Sequence, residues 1–299
     1  MHHHYRVKKI VGRMQYTHPE NVDAAIADLA SAAGLIRVLA GGTDLLVQLR
    51  AGIREPEVVV DIKGIKETRT IAREGDGFLV GSAVAGAEMT EHGDLKKTWP
   101  GLVESVDLIG STQVQGRASM GGNLCNASPA ADSVPAMIAA DMVCHVVGPK
   151  GKRDVKVEDV CTGPGKTSLA KDEFILNFSL PARPANSGDA YLRFIPRTEM
   201  DIAVAGVGVN LTLDKSGTCT AARVAIGAVA PTALLVKDAG AALVGSKVDD
   251  AAIEKMVAAV RAACRPIDDK RGTIEYRVRV AGVLAERATR IALDRAKED

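Results

Sequence analysis

Aromatic side chains are scarce in this chain: one Trp, four Tyr and four Phe among 299 residues. Its cores must therefore be filled by Ala, Val, Leu and Ile, and the apolar fraction of 46% is enough to fill them. The same shortage leaves no stacking platform for bases. Net charge is only +1 and the basic residues are scattered, so no long-range field draws in nucleic acid or an anionic membrane. Nucleic-acid binding is set aside on these grounds. No apolar run reaches the roughly eighteen residues of a membrane span, so no transmembrane helix is expected. The start, Met1-His2-His3-His4-Tyr5-Arg6, lacks the apolar stretch of a secretory signal, and a cytoplasmic protein is expected. Its three histidines could bind metal, but read better as a tag remnant or a solvated terminus.

Cysteine is present without a pattern. Cys125, Cys144, Cys161, Cys219 and Cys264 are odd in number and form no C-x-x-C pair, which fits reduced thiols. The spacing speaks against a zinc site or a ligated iron–sulfur cluster within this chain. Histidine is rare too: six in all, three of them at the terminus. No Ser/His/Asp set stands out, so no acid–base machinery for a substrate is expected here. Gly163-Pro164-Gly165-Lys166-Thr167 looks like the end of a P-loop, but Val160 stands where the earlier glycine is required. Pro164 also occupies the loop, and a turn is the simpler reading. No G-x-G-x-x-G occurs at either glycine pair of the chain, so a Rossmann NAD site is unsupported.

Those two glycine pairs are the most informative feature present. One is Ala40-Gly41-Gly42-Thr43-Asp44-Leu45; the other is Ser119-Met120-Gly121-Gly122-Asn123-Leu124, running on to Pro129, Asp132 and Pro135. Each sits where a short apolar run meets a polar turn. Glycine permits positive φ and close backbone approach, and successive N–H groups in such turns form anion nests. Two nests, with Thr43, Ser119 and Asn123 beside them, could hold the two phosphates of one dinucleotide.

The elements around them are legible in outline. Thr17-His18-Pro19-Glu20 followed by Val22, Ala25, Ile26 and Leu29 predicts a capped amphipathic helix ended by Gly34. Strands are expected over 35–39, 58–62, 78–81, 143–147 and 174–180, with a helix over 45–49 between the first two. Residues 86–108 read as helical pieces broken at Pro100-Gly101, and Ser133 to Met142 as a helix with Pro135 near its start. The Pro-, Asn-, Ser- and Gly-containing stretch 181–189 reads as a linker. Three further strands (191–195, 202–213, 222–229) and two amphipathic helices (248–264, 274–297) follow. Strands and helices first, then an antiparallel sheet with helices packed on it, predict an α+β fold.

Taken together with their flanks, the two glycine segments resemble one family: the FAD-binding (medium) subunit of the molybdenum hydroxylases, of the xanthine dehydrogenase and aerobic carbon monoxide dehydrogenase type. The resemblance continues through Arg193 to Ala203, Gly227 to Thr232 and Arg271 to Arg277, five blocks in the same order. It implies an FAD-binding domain of two subdomains over 1–183, with the flavin between them. It implies a C-terminal domain over 188–299, a three-stranded antiparallel sheet covered by a helical bundle. Some relatives carry a loop with cluster-binding cysteines; no such insertion is present.

By the resemblance, Val38, Leu39, Ala40, Gly41, Gly42, Thr43, Asp44 and Leu45 form one pyrophosphate-binding segment. Ser119, Met120, Gly121, Gly122 and Asn123 form the other. Ile109 and Gly110 fall where relatives contact the cofactor. Asp132 matches a carboxylate that bonds the adenosine end, and would otherwise cap the helix starting near Ser133. Ile175 matches an apolar residue near the isoalloxazine ring, and fits a strand core equally. Arg193 stands where xanthine dehydrogenase-like members have a lysine near the flavin; guanidinium is not ammonium, and a surface charge is the other reading. Arg197 and Asp201 have the spacing to pair at the domain junction. Cys125 follows the second segment, but the family binds FAD noncovalently and a small buried thiol is expected.

The resemblance implies an FAD-carrying electron-transfer subunit. A small subunit with [2Fe-2S] clusters would supply electrons, and a large subunit with a molybdenum cofactor would oxidise the substrate. Relatives are often dimers of such heterotrimers. The alternatives are a stand-alone FAD-dependent oxidoreductase, which would need a substrate base near the ring, and a structural adaptor that has lost FAD.

Overall fold

The computed structural model describes residues 14–298. The N-terminal histidines lie outside the described residues.

A small parallel sheet comes first. Its elements are β1 (Gln15–Thr17), α1 (Val22–Ser31), β2 (Ile36–Leu39), α2 (Leu45–Arg50) and β3 (Val58–Asp61), with strand order β1-β3-β2. β3 reads Val-Val-Val-Asp and is buried throughout, as a central parallel strand covered on both faces should be. α1 begins later than its sequence signals predict. Thr17 closes β1, and Asn21 is the cap, its side chain accepting from Ala24 N at 2.9 Å. Ala25 and Leu29 then point into a core shared with Val58, Val60 and Ile62.

The second unit holds β4 (Ile71–Glu74), β5 (Gly77–Gly81), α3 (Gly86–Glu91), α4 (Gly93–Thr98), α5 (Pro100–Asp107), α6 (Thr112–Gln115), α7 (Met120–Cys125) and α8 (Ser133–Ala139). After these come β6 (Val143–Gly148), β7 (Gly151–Lys156), β8 (Cys161–Gly163), β9 (Lys166–Thr167) and β10 (Phe174–Leu180). Five strands form an antiparallel sheet in the order β4-β5-β10-β6-β7, and β8 and β9 make a separate hairpin. Pro100 opens α5 at a position where a missing N–H costs nothing. The P-loop-like stretch is the β8–β9 turn, with Gly165 at φ +68°.

The third unit is β11 (Ser187–Phe194), β12 (Ala205–Leu213), β13 (Cys219–Gly227), β14 (Leu234–Leu235), α9 (Lys237–Leu243), α10 (Asp250–Ala263) and α11 (Ile274–Glu298). Its antiparallel sheet runs β11-β12-β13-β14, so a two-residue edge strand joins the three expected. β11 starts inside the stretch read as linker: Ser187, Gly188 and Asp189 pair with Thr212, Leu211 and Asn210. Backbone pairing overrides a composition that reads as irregular. Ala and Val fill the core beneath α10 and α11, with Met256 among the few long side chains.

α8 joins the second and third units. Its Pro135 carbonyl lies against Gly208 of β12, where an added Cβ would fall 2.6 Å from that oxygen. Asp189 completes the joint: it accepts from Leu102 N at 3.0 Å and pairs with Arg183 at 2.7 Å, both side chains being almost wholly buried.

Candidate functional site

A cleft of about 520 Å³ opens between the first and second units. β2 runs toward it and ends at Leu39, and the first glycine segment turns there into α2. A part-buried hydrogen-bonded chain ties down the start of that turn. Lys63 Nζ donates to Ala40 O at 2.7 Å and to Asp61 Oδ1 at 2.7 Å. Tyr16 OH donates to Asp61 Oδ2 at 2.8 Å. Burial tends to raise the Asp61 pKa, but the hydrogen bonds from Lys63 and Tyr16 outweigh it and hold the carboxyl below the usual range.

Of the four glycines, only Gly42 has positive φ, at +79°. Gly41 is required by close approach: a Cβ there would meet Arg117 O at 1.9 Å, so the first segment lies directly against the chain leading into the second. Gln48 Nε2 bonds Asn126 Oδ1 at 3.1 Å and ties α2 to the end of α7. Among the described residues, the N–H groups of Gly41, Gly42, Thr43 and Asp44 find no hydrogen-bond acceptor. This is a row of free donors around one left-handed residue, the arrangement of an anion nest.

The second segment differs from its expected form. Gly121 and Gly122 are not in a loop but in the first turn of α7, capped by Ser119, whose Oγ accepts from Gly122 N at 3.1 Å. Gly121 N donates to Ser82 O, and Asn123 N to Ser119 O. These N–H groups are already satisfied, so the segment serves by shape. A Cβ on Gly121 would strike Ser82 O at 2.4 Å, whereas one on Gly122 would meet only Ser119 Oγ, at 3.3 Å, and face the cleft. Asn123 Oδ1 accepts from the Ser133 backbone and hydroxyl at 3.1 and 2.7 Å, which orients its amide beside the cleft.

Thirteen of the eighteen residues assigned from the sequence line this one cleft: Val38, Ala40 to Leu45, Ile109, Ser119, Gly121, Gly122, Asn123 and Ile175. Leu39 and Met120 turn into the cores, and Gly110 sits at φ +63° behind the wall. Asp132 and Arg193 lie outside the lining and bind each other. Arg193 Nη1 donates to Asp132 Oδ2 at 2.6 Å, and Tyr191 OH to Oδ1 at 3.1 Å. Burial pushes the Asp132 carboxyl up to about 6, with Arg193 and Tyr191 opposing it. Asp132 makes no cap bond to α8, and Arg193 is not a surface charge, its side chain being 6% exposed. Arg197 and Asp201 do approach, at 3.6 Å, but Asp201 is bonded more closely by Arg271 at 2.9 Å. Cys125, expected as a buried thiol, is exposed and lines the cleft.

Sequence reasoning missed Arg37, Arg54 and Lys171, which add positive charge to the lining. Arg37 precedes the glycine turn by three residues, a signal that could have been read; Arg54 and Lys171 arrive only through folding. Also missed was a hydrogen-bonded Ser–His–Asp chain. His145 Nδ1 meets Asp154 Oδ1 at 2.7 Å, and Nε2 meets Ser179 Oγ at 2.5 Å. It crosses neighbouring strands of the five-stranded sheet, away from the cleft. Ser179 Oγ also lies 3.3 Å from Glu74 Oε2.

Comparison with known proteins identifies the family. Residues 12–183 match the model of the FAD-binding domain in molybdopterin dehydrogenase, and residues 190–292 match that of the CO dehydrogenase flavoprotein C-terminal domain. The carbon monoxide dehydrogenase medium chain of Afipia carboxidovorans is 31% identical over 96% of this chain and 99% of its own. The xanthine dehydrogenase FAD-binding subunit of Escherichia coli O157:H7 is 30% identical over 87% of this chain and 92% of its own. Among solved structures, the carbon monoxide dehydrogenase of Hydrogenophaga pseudoflava superposes with a TM-score of 0.91 at 31% identity, covering 96% of this chain and 99% of that one. No helix among the described residues is long and apolar enough to cross a membrane. With both family models matched in order, and the two glycine segments meeting in one cleft, this chain belongs to the FAD-binding subunits of the molybdenum hydroxylases.

Proposed function

We propose that this chain is the electron-transfer subunit of a heterotrimeric molybdenum hydroxylase, with FAD held in the cleft between the first two units. The observation that carries the reading is the row of N–H donors from Gly41 to Asp44 that find no acceptor among the described residues, in the same cleft lining as Gly122. The donor set fits a diphosphate: nest N–H groups, the Thr43 hydroxyl and the Asn123 amide line one cleft. We divide the chain into an FAD-binding domain over 1–183 and a C-terminal domain over 188–299.

FAD, when bound, accepts electrons singly and releases them in pairs. The chain's own residues bind, orient and shield. Lys63, held by Asp61, donates to the Ala40 carbonyl and so ties down the entry to the nest. Ile109 and Ile175 give the lining an apolar portion that excludes water. Among the described residues, no histidine lines the cleft. This is what a relay needs, since substrate oxidation would occur on a large molybdenum-cofactor subunit. Electrons would reach this chain from the [2Fe-2S] clusters of a small subunit and leave to an external acceptor. A dimer of heterotrimers and a cytoplasmic location complete the proposal.

The test is a pull-down of the tagged chain from its native host, with metal analysis and a visible spectrum. FAD accompanied by molybdenum, iron and two further subunits is the expected result. FAD on a lone chain, reduced directly by a small organic molecule, would overturn it in favour of a self-sufficient flavoenzyme.

A further inference from the structure

We propose that Arg37 and Arg54 form a cationic clamp that takes the diphosphate of the bound dinucleotide against the nest of Gly41 to Asp44. The inference rests on the FAD reading and names which side chains supply its charge selectivity.

Both arginines line the cleft and flank the glycine turn in the chain, Arg37 on β2 and Arg54 just beyond α2. The ion pairs of the described residues engage other arginines and lysines, and neither Arg37 nor Arg54 is among them. Outside the described residues the one acidic side chain is that of Asp299; residues 1–13 contain no Asp or Glu. Burial first, and the Arg54 charge second, lower the Arg37 pKa. Arg37 uses Nη1 on the Ile36 carbonyl at 3.0 Å, which fixes the head and leaves its other donors for a ligand.

Two like charges on one cleft wall repel unless an anion joins them. A dinucleotide diphosphate carries two negative charges, matching the two guanidinium groups, and guanidinium donors suit phosphate oxygens in paired bonds. The nest supplies partial charges only and accepts any small anion. The arginines add full positive charges at two positions, one on each side of the turn in the chain. The two phosphates of FAD can engage one guanidinium each, whereas the single phosphate of FMN, although nearly doubly charged, offers one point of attachment.

The experiment measures dissociation constants of FAD and FMN for the full-length chain by flavin fluorescence, at low and high NaCl. The proteins are wild type, Arg37→Gln/Arg54→Gln, Arg37→Lys/Arg54→Lys, and the control Arg50→Gln. Arg50 is exposed on α2 and does not line the cleft. Each lost charged hydrogen bond weakens binding about tenfold, so the double Gln variant should bind FAD about a hundredfold more weakly. FMN should change far less, and the salt dependence of FAD binding should flatten. The Lys pair should recover part of the loss, and Arg50→Gln should match wild type. Circular dichroism should show every variant folded, since both arginines sit at the surface of the cleft. A double Gln variant that keeps wild-type FAD affinity, FAD-to-FMN ratio and salt dependence would overturn the clamp and leave the FAD reading standing. A wild-type chain that binds no FAD would sink the reading beneath it.

Discussion

Asp61 is the charge on which the first glycine turn depends. It binds Lys63 and Tyr16 while 5% exposed, and Lys63 in turn holds the Ala40 carbonyl. Asp61→Asn keeps the shape but removes the charge, and should cost about 2 kcal/mol by loss of charged hydrogen bonds. Urea unfolding would measure it. The sign of the pH effect follows from a folded pKa held below the unfolded value of about 4. The Asp61 contribution is present above that value and is lost as pH falls through the folded pKa. The wild-type stability should therefore drop more steeply on acidification than that of Asp61→Asn. At the second segment, Gly121→Val and Gly122→Val should separate folding from binding. The first drives a side chain into the Ser82 backbone and should destabilise by several kcal/mol, on the order of 3. The second points into the cleft and should abolish FAD retention with a melting temperature near wild type. If Gly122→Val retains stoichiometric FAD, the cleft assignment is wrong.

Elements were legible wherever local chemistry and burial agree. β3 and β10 announce themselves as apolar runs, and α10 and α11 as stripes at helical spacing. Asp249 caps α10 by accepting from Ala252 N at 3.0 Å; Asp249→Ala should cost about 1 kcal/mol in thermal or denaturant unfolding. Elements whose reason is tertiary were not legible. β1 exists because Gln15 to Thr17 pair with Val58 to Val60, and the start of β11 because β12 lies beside it. The second glycine segment reads as a polar turn, yet it forms α7 although glycine disfavours a helix. Its Ser119 cap and the Ser82 carbonyl against Gly121 supply what propensity lacks.

At the scale of the molecule, the C-terminal unit is joined to the rest through buried charge. Asp189 on β11 holds Leu102 N of α5 and pairs with Arg183, and Arg295 of α11 reaches Glu104. Removing one partner of a buried pair strands the other. Asp189→Ala should cost about 3 kcal/mol and separate the melting of the C-terminal unit from that of the FAD-binding units in calorimetry. A single unshifted transition would show the joint to be held by α8 and its apolar contacts alone.

The sequence by itself determined the family and the order of the units, and it named thirteen of the residues that line the cleft, because glycine pairs with polar flanks are local features. It also identified the helices and long strands, whose periodicity is local too. Tertiary structure decided what each glycine does. Gly42 needs a left-handed backbone, Gly41 and Gly121 need another chain to pass within reach, and Gly122 leaves space. Folding also placed Asp132 on Arg193 rather than in the cleft lining, and set Arg54 in the same lining as Arg37. Charge pairing acts through space, so which cation meets which anion is fixed only when the strands and helices that carry them have packed.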